Sequence, residues 1–498
     1  MKRIILLLLC LSMTVSLLAV FASCGKDEGN KETTSVNIDQ NDPDAALYQD
    51  LVKVDYSEGG VAKEFNVLNN DSDYALTMMD SDSIATHIDT AIYSRNRFVE
   101  EQLGILINVT QQNYNEASTT MRNLSTSGLY QYDICYNESW KQSTLVLEGV
   151  YKSVNEYEQY LGLDKPWWYD EVMSDVTIAN RRYLVASDMN MMVNESVTGM
   201  AFNRDIIRNY GAESPYELVQ SGNWTFEKLY SISTETREDG RYGIVGNIVF
   251  ADAMIAAAGV TLTLKGEDGK IARNPVDDYF TTVYQTMITY FFESNGIGEV
   301  NGIRTSYDSE NFMSGAFDRN YSSGTEFTSG KSTFAFMAVG NMRKDLPSCE
   351  LEYGIIPNPK YNTNQSQYIS YVTRPASLCG IPTSINGQTQ ETLERVCNIM
   401  EWLSAYSYKL VKPVYYEVIL YGRISRQPEA VEMLNIMFGL SNLGIKRIER
   451  DGVLALGMTN VLELCASDAN MGISGRMRII SDLVDDTIDT TNTYYQGK

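Results

Sequence analysis

Glu64-Phe65-Asn66-Val67-Leu68, Ile105-Leu106-Ile107-Asn108-Val109-Thr110 and Tyr132-Asp133-Ile134-Cys135-Tyr136 are three short runs dense in β-branched, aromatic and other apolar residues. Such runs mark strands. Between the first two, Asp89–Leu103 sets Ile92, Val99 and Leu103 on one helical face and meets a stop at Gly104. A second helix is predicted over Glu116–Ser125, between the second and third runs. The order β-α-β-α-β predicts a parallel sheet with helices on its faces.

Downstream, Tyr183-Leu184-Val185-Ala186-Ser187-Asp188 and Gly199-Met200-Ala201-Phe202-Asn203 read as strands, the second running into a helix at Arg204. Thr225 is placed to cap a helix that begins at Phe226. Residues 250–258 and 276–292 read as helices, and Leu264–Ile271 between them as a hairpin turning at its glycines. Ser332–Phe336 and Tyr353–Pro357 read as strands. Leu393, Val396, Cys397, Met400 and Leu403 share one helical face, and Pro413 ends that pattern.

The start of the chain bears on compartment. Lys2 and Arg3 precede the apolar run Ile4–Leu11 and a second stretch, Leu17–Phe21, which leads into Ala22-Ser23-Cys24. A basic head, an apolar middle and small residues before a cut site describe a secretory signal, here residues 1–23. Ala22-Ser23-Cys24 resembles the bacterial lipobox, with Phe21 where Leu is usual, which implies lipid attachment at Cys24. Residues 24–54 then read as a lipidated cysteine and a polar tether.

The whole chain carries a formal charge of −24; removing residues 1–23 takes away two cations and no acid, so −24 − 2 gives −26. So acidic a surface disfavours nucleic acid as a partner. Beyond Cys24 there are five cysteines, Cys135, Cys349, Cys379, Cys397 and Cys465, an odd number without CxxC spacing. Buried free thiols are expected, rather than a disulfide framework or zinc site. The single histidine, His87, disfavours hydrolytic machinery built on imidazole. Neither cofactor nor metal is expected.

Several phrases, in order, resemble the extracellular solute-binding proteins of sugar ABC transporters, the maltose-binding type (family 1). They are Tyr132-Asp133-Ile134 followed by Trp140; Arg182–Val185 through Gly199–Asp205; Asn223–Leu229; Phe327–Phe334; Tyr353–Pro359; and Ala376–Pro382. The resemblance covers about residues 60–420. It implies a periplasmic-binding-protein-like α/β fold of two discontinuous lobes. Each lobe has a central, mostly parallel sheet flanked by helices, and a hinge crossed near 188–198, 325–329 and 376–381 joins them. On that reading lobe I is 55–190 plus 327–378, and lobe II is 191–326 plus 379–498. The implied protein is a monomeric, non-enzymatic lipoprotein on the outer face of the cell membrane. It hands a small solute, a sugar by preference, to the membrane subunits of an ABC permease.

A sugar offers hydroxyls at its edges and weakly polar C–H faces, so its site combines aromatic planes with carboxylates and amides. The chain has 33 Tyr and 5 Trp to draw on. Position narrows them, because ligands of such folds meet the loops at strand C-termini. Glu138 and Trp140 follow the third strand. Asp188 and Asn190 lie at the first crossover, Asn247 and Phe250 precede a second-lobe helix, and Asn341 follows a return strand. Tyr415 follows the Pro413 break. Trp167-Trp168-Tyr169 reads as lobe packing. Two other readings stay open: the same fold carrying a peptide or cationic solute, and a secreted glycosidase working with two carboxylates.

Overall fold

The computed structural model describes residues 34–35, 45–70, 86–238, 241–246, 249–292, 303–305, 327–417, 420, 428–448 and 473–497. The signal segment, Cys24, Asn247 and Cys465 lie outside the described residues.

The first sheet is built as the alternation predicts. Strand β1 (Lys63–Asn70) is followed by helix α1 (His87–Leu103), β2 (Ile105–Gln112), α2 (Tyr114–Ser127), β3 (Ile134–Glu138) and α3 (Ser139–Leu147). β1 pairs in parallel with β2, Lys63 opposite Ile105, and with β3, Val67 opposite Ile134. Thr86 and Asp89 form a reciprocal capping box at the start of α1. Gly104 ends α1 at φ 61°, and a Cβ there would lie 2.0 Å from an Asp55 oxygen. Glycine is therefore required on both counts.

A short helix α4 (Met192–Glu195) leads into the second sheet. Its elements are β4 (Thr198–Asn203), α5 (Phe226–Glu235), β5 (Tyr242–Gly246), α6 (Val249–Ala257), β6 (Ile303–Thr305), β7 (Ser332–Ala338), α7 (Val339–Asp345) and β8 (Tyr353–Pro357). The strand order is β6-β5-β7-β4-β8, parallel at β6-β5-β7 and antiparallel at β7-β4-β8. Thr225 caps α5 as expected, accepting from the Lys228 N–H. The predicted hairpin is Thr263–Lys265 against Ile271–Arg273, with Gly269 at φ 74°.

The chain returns through β9 (Tyr368–Val372) and β10 (Ser377–Gly380), which pairs antiparallel to β3. Then come α8 (Gln390–Tyr406), a π turn (Ser407–Val411), α9 (Pro428–Met437), β11 (Gly444–Ile448, parallel to β9) and α10 (Ile473–Tyr495). Among the described residues no helix is long and apolar enough to cross a membrane.

Three expectations about organisation are corrected. Residues 327–357 were grouped with 55–190, yet β7 and β8 hydrogen-bond into the sheet of β4 and β5. At 327–329, the described part of the expected 325–329 crossing, the chain therefore stays with the second sheet; it crosses near 185–198, between β8 and β10, and between α8 on the first sheet and α9, which packs on β8. β10, which begins at Ser377, joins the first sheet, and α8 packs on α1, so residues 379–406 side with the first sheet rather than the second. Residues 45–53, placed in the tether, are docked. Tyr48 is 1% exposed and stacks on Trp167 at 5.9 Å, Leu51 is buried, and Trp402 Nε1 donates to the Val52 carbonyl. The run 183–188 forms isolated bridges, Val185 to Cys379 and Ser187 to Trp168, rather than a strand.

The core is continuous across both sheets, and Cys135, Cys349, Cys379 and Cys397 are buried free thiols within it. Trp167 and Trp168 both donate their indole N–H to Glu401, at 2.8 and 3.1 Å, and Gly162 N adds a third bond at 3.0 Å. That motif packs the body, as the sequence predicts.

Candidate functional site

Parallel pairing puts the C-termini of β1, β2 and β3 on one edge of the first sheet, at Asn70, Gln112 and Glu138. Side chains from the strand ends and the following loops gather there. Glu138 is buried at the start of α3, and its carboxylate accepts from Trp140 Nε1 at 2.7 Å. The half-buried Trp140 ring lies 5.9 Å from the Tyr114 ring. Lys141 Nζ sits 4.0 Å over Trp140 and 5.5 Å over Tyr114, a cation on two aromatic faces. Partial burial pushes the Lys141 ammonium below its ordinary range, and Glu138 opposes that shift.

Asn69 and Asn70 complete this edge, each 1% exposed. Asn70 Nδ2 donates to Ser377 Oγ at 3.3 Å, and Ser377 lies opposite Glu138 in the sheet. Among the described residues the Oδ1 atoms of both asparagines have no hydrogen-bond partner. Buried acceptors in that state cost free energy unless a donor reaches them.

The second group lies in the first crossover. Asp188, Asn190, Asn194 and Glu195 are all buried. Asp188 accepts from Tyr169 Oη at 2.7 Å and from Lys412 Nζ at 3.2 Å. Asn194 accepts from Lys446 Nζ at 3.2 Å and donates to Tyr169 Oη at 3.0 Å, while Lys446 Nζ lies 4.3 Å from the Tyr169 ring centre. Glu195 accepts from Arg343 Nε, at 3.1 and 3.0 Å to its two oxygens, and from Tyr415 Oη at 2.7 Å. Burial raises both carboxyls above their usual range, with Lys412 and Arg343 respectively pulling the other way. Burial also holds Lys446 down at about 8, Lys412 adding to the depression.

The two groups are close in topology. Val197 bridges Val372, Thr373 N donates to Ser196 O, and Ser139 N donates to the Arg374 and Ala376 carbonyls. The crossover strands thus run side by side from the edge that carries Glu138 to the edge that carries α4 and α7.

Of the sequence candidates, Glu138 and Trp140 are in direct contact. Asp188, Asn190 and Tyr415 belong to the crossover group, and Tyr415 reaches it through Glu195. Asn341 lies half-buried on α7, two residues from Arg343. Phe250 is not brought to either group. It is 1% exposed and edge-on to Phe291 and Phe336, at 5.2 and 5.5 Å, because α6 is buried along nearly its whole length and packs on β9. Asn69, Asn70, Tyr114, Lys141, Tyr169, Arg343, Lys412 and Lys446 were not anticipated. The strand-end rule that selected Glu138 would have reached Asn69 and Asn70 had the first strand been drawn two residues longer, and Tyr114 had the loop after the second strand been searched as well. Among the described residues no group of three or more His, Cys, Asp or Glu is placed to hold a metal ion.

No family model matches the chain, and no curated protein matches it in sequence. Solved structures do match in shape. The sugar-binding protein MalE from Xanthomonas citri is 13% identical, with a TM-score of 0.57 over 88% of this chain and 100% of that one. UgpB from Mycobacterium tuberculosis, solved with glycerophosphocholine, is 12% identical, with a TM-score of 0.56 over 87% and 99%. The ABC substrate-binding protein Lmo0181 from Listeria monocytogenes, solved with cycloalternan, is 11% identical, with a TM-score of 0.52 over 87% and 98%. At such identity the likeness is one of fold, and it runs nearly the whole length of each neighbour: the chain has the two-unit α/β fold of ABC-transporter solute-binding proteins.

Proposed function

We propose that this protein is an extracellular, lipid-anchored receptor that captures a small polar solute, a mono- or oligosaccharide by preference, and delivers it unaltered to an ABC permease. The solute would lie between the two sheets, at the C-terminal edge of the first, against Trp140 and Tyr114 with Glu138, Asn69 and Asn70. Cys24 would carry the lipid, and the two α/β units would act as lobes closing about the crossovers.

One observation carries this reading. An aromatic pair, a carboxylate and two buried, unpartnered amide oxygens share the strand-end edge where this kind of fold receives ligands. Hydroxyl groups are the donors those amide oxygens lack. Lys141 on the aromatic faces argues against a cationic cargo, which it would repel. Asp188 and Glu195 are each held by a cation, an arrangement suited to bracing the crossover rather than to paired acid–base chemistry.

The test is a thermal-shift screen against sugars, peptides and polyamines, followed by calorimetry on the hits. A ligand that binds only the folded protein raises its melting temperature. Sugar hits whose affinity falls in Trp140→Ala and Asn70→Ala support the reading. Hits confined to polyamines or peptides, or new reducing ends released from a bound glycan, overturn it. Loss of lipid labelling in Cys24→Ala checks the anchor separately.

A further inference from the structure

Arg95 lies behind the first crossover, on the face of α1 that packs against α8 and the π turn at Ser407–Val411. Its side chain is 0% exposed. Nε donates to Asn96 Oδ1 at 2.9 Å, and Nη1 donates to the Met189 carbonyl at 3.2 Å and to Ser407 Oγ at 2.6 Å. Each of these acceptors is neutral, and Nη2 has no partner among the described residues. A second open donor follows the Met189 whose carbonyl Arg95 holds. Asn190, 2% exposed and next to Met189, has its Oδ1 taken by the Met192 N–H, while its Nδ2 has no partner.

Among the described residues the cation has no counter-charge. Asp188, the acid nearest in sequence to Met189, is engaged by Lys412 and Tyr169. Among the described residues Tyr136 is the titratable group whose field bears on Arg95, and burial holds its phenol well above the ordinary range, so it stays neutral. Arg95 cannot escape by losing its proton: burial lowers it only to about 10, which leaves it charged at neutral pH. Buried cations in proteins are paired or bind an anion, because an isolated charge in a low-dielectric interior is very costly.

We propose that Arg95 Nη2, with the Asn190 amide as a second donor, holds a small inorganic anion of halide size. The size follows from placement: Arg95 lies behind the crossover, under α8 and the π turn, and not at the strand-end edge proposed for the solute. Because Nη1 also holds the Met189 carbonyl, an occupied site would steady the crossover that joins the two sheets. This inference is independent of which solute the protein carries.

The experiment is thermal unfolding of the full chain in chloride titrated against gluconate at constant ionic strength. The melting temperature should climb with the logarithm of chloride concentration once the site is half-filled. Arg95→Met, which removes the charge and keeps an apolar stem, should fold and melt at a temperature that does not respond to chloride. Bromide-soaked crystals of the unaltered protein supply a second readout that does not depend on any variant folding, with an anomalous peak expected beside Arg95 Nη2. A wild-type transition indifferent to chloride, a chloride response equally large in Arg95→Met, or no bromide peak beside Arg95 would each overturn the assignment.

Discussion

Arg343 grips Glu195 side-on, Nε reaching both carboxylate oxygens at 3.1 and 3.0 Å and Nη2 reaching one at 3.0 Å, and so ties α7 to the crossover helix α4. The Glu195 side chain is 0% exposed and that of Arg343 is 24% exposed, so one partner is fully desolvated and the other is not. Glu195→Gln should cost about 2 kcal/mol, somewhat below the ~3–5 kcal/mol for stranding a fully buried charge, because Arg343 can turn partly to water. The midpoint of urea unfolding at unchanged slope measures it. A change under about 0.5 kcal/mol would mark the pair as no stronger than a surface one.

Lys446 makes stability depend on pH in the alkaline range. Its folded value is about 8 against an ordinary 10.5, so between those limits the unfolded chain binds more protons. Its contribution is therefore present above 10.5 and lost as pH falls through about 8. The stability of the wild type relative to Lys446→Met should rise from pH 8 to 10.5, the difference cancelling titrations common to both. A flat difference would show that the ammonium is solvated.

Trp140 and Trp167 should behave oppositely. Trp140 is half-buried at the strand-end edge, so Trp140→Ala should leave melting nearly unchanged while weakening solute binding by about 5- to 150-fold, or ~1–3 kcal/mol. Trp167 is 1% exposed, with its N–H on Glu401, so Trp167→Ala should cost about 3–5 kcal/mol of stability. Paired calorimetry and denaturation of both variants decide it. Early melting in Trp140→Ala would place that ring in the packing instead.

Tyr48 pins residues 45–53 to the body through Trp167, and Lys409 Nζ lies 5.0 Å over its ring. Tyr48→Ala should weaken that docking by about 2 kcal/mol, making local opening roughly 30-fold more frequent. Limited proteolysis read by mass spectrometry should then show faster cuts before residue 55. An unchanged digestion pattern would mean the segment is held elsewhere.

Elements whose signals are local were legible in the residues. Gly104 stops α1, Thr225 caps α5, and the apolar spacing of Leu393 to Leu403 marks α8, because capping and amphipathic periodicity act over a few residues. The edge bearing Glu138 and Trp140 followed from strand order alone, since side chains at parallel strand ends must share an edge. Asp188 and Asn190 were marked by their place at the first crossover, which the family resemblance implied.

What the side chains at those positions do was decided by tertiary structure. β7 joined the second sheet because Phe334 pairs across to Phe202 and Ile244, and nothing in Ser332–Ala338 names its neighbours. Asp188 is paired with Lys412 from just beyond the π turn, and Glu195 with Arg343 from α7, partners that nothing in residues 188–195 names. Arg95 shows the converse: a cation on an ordinary amphipathic helix, without a counter-charge among the described residues once α8 and the crossover close over it. Local propensity acts over a few residues and is written in the chain; charge pairing and desolvation depend on which distant segments fold together.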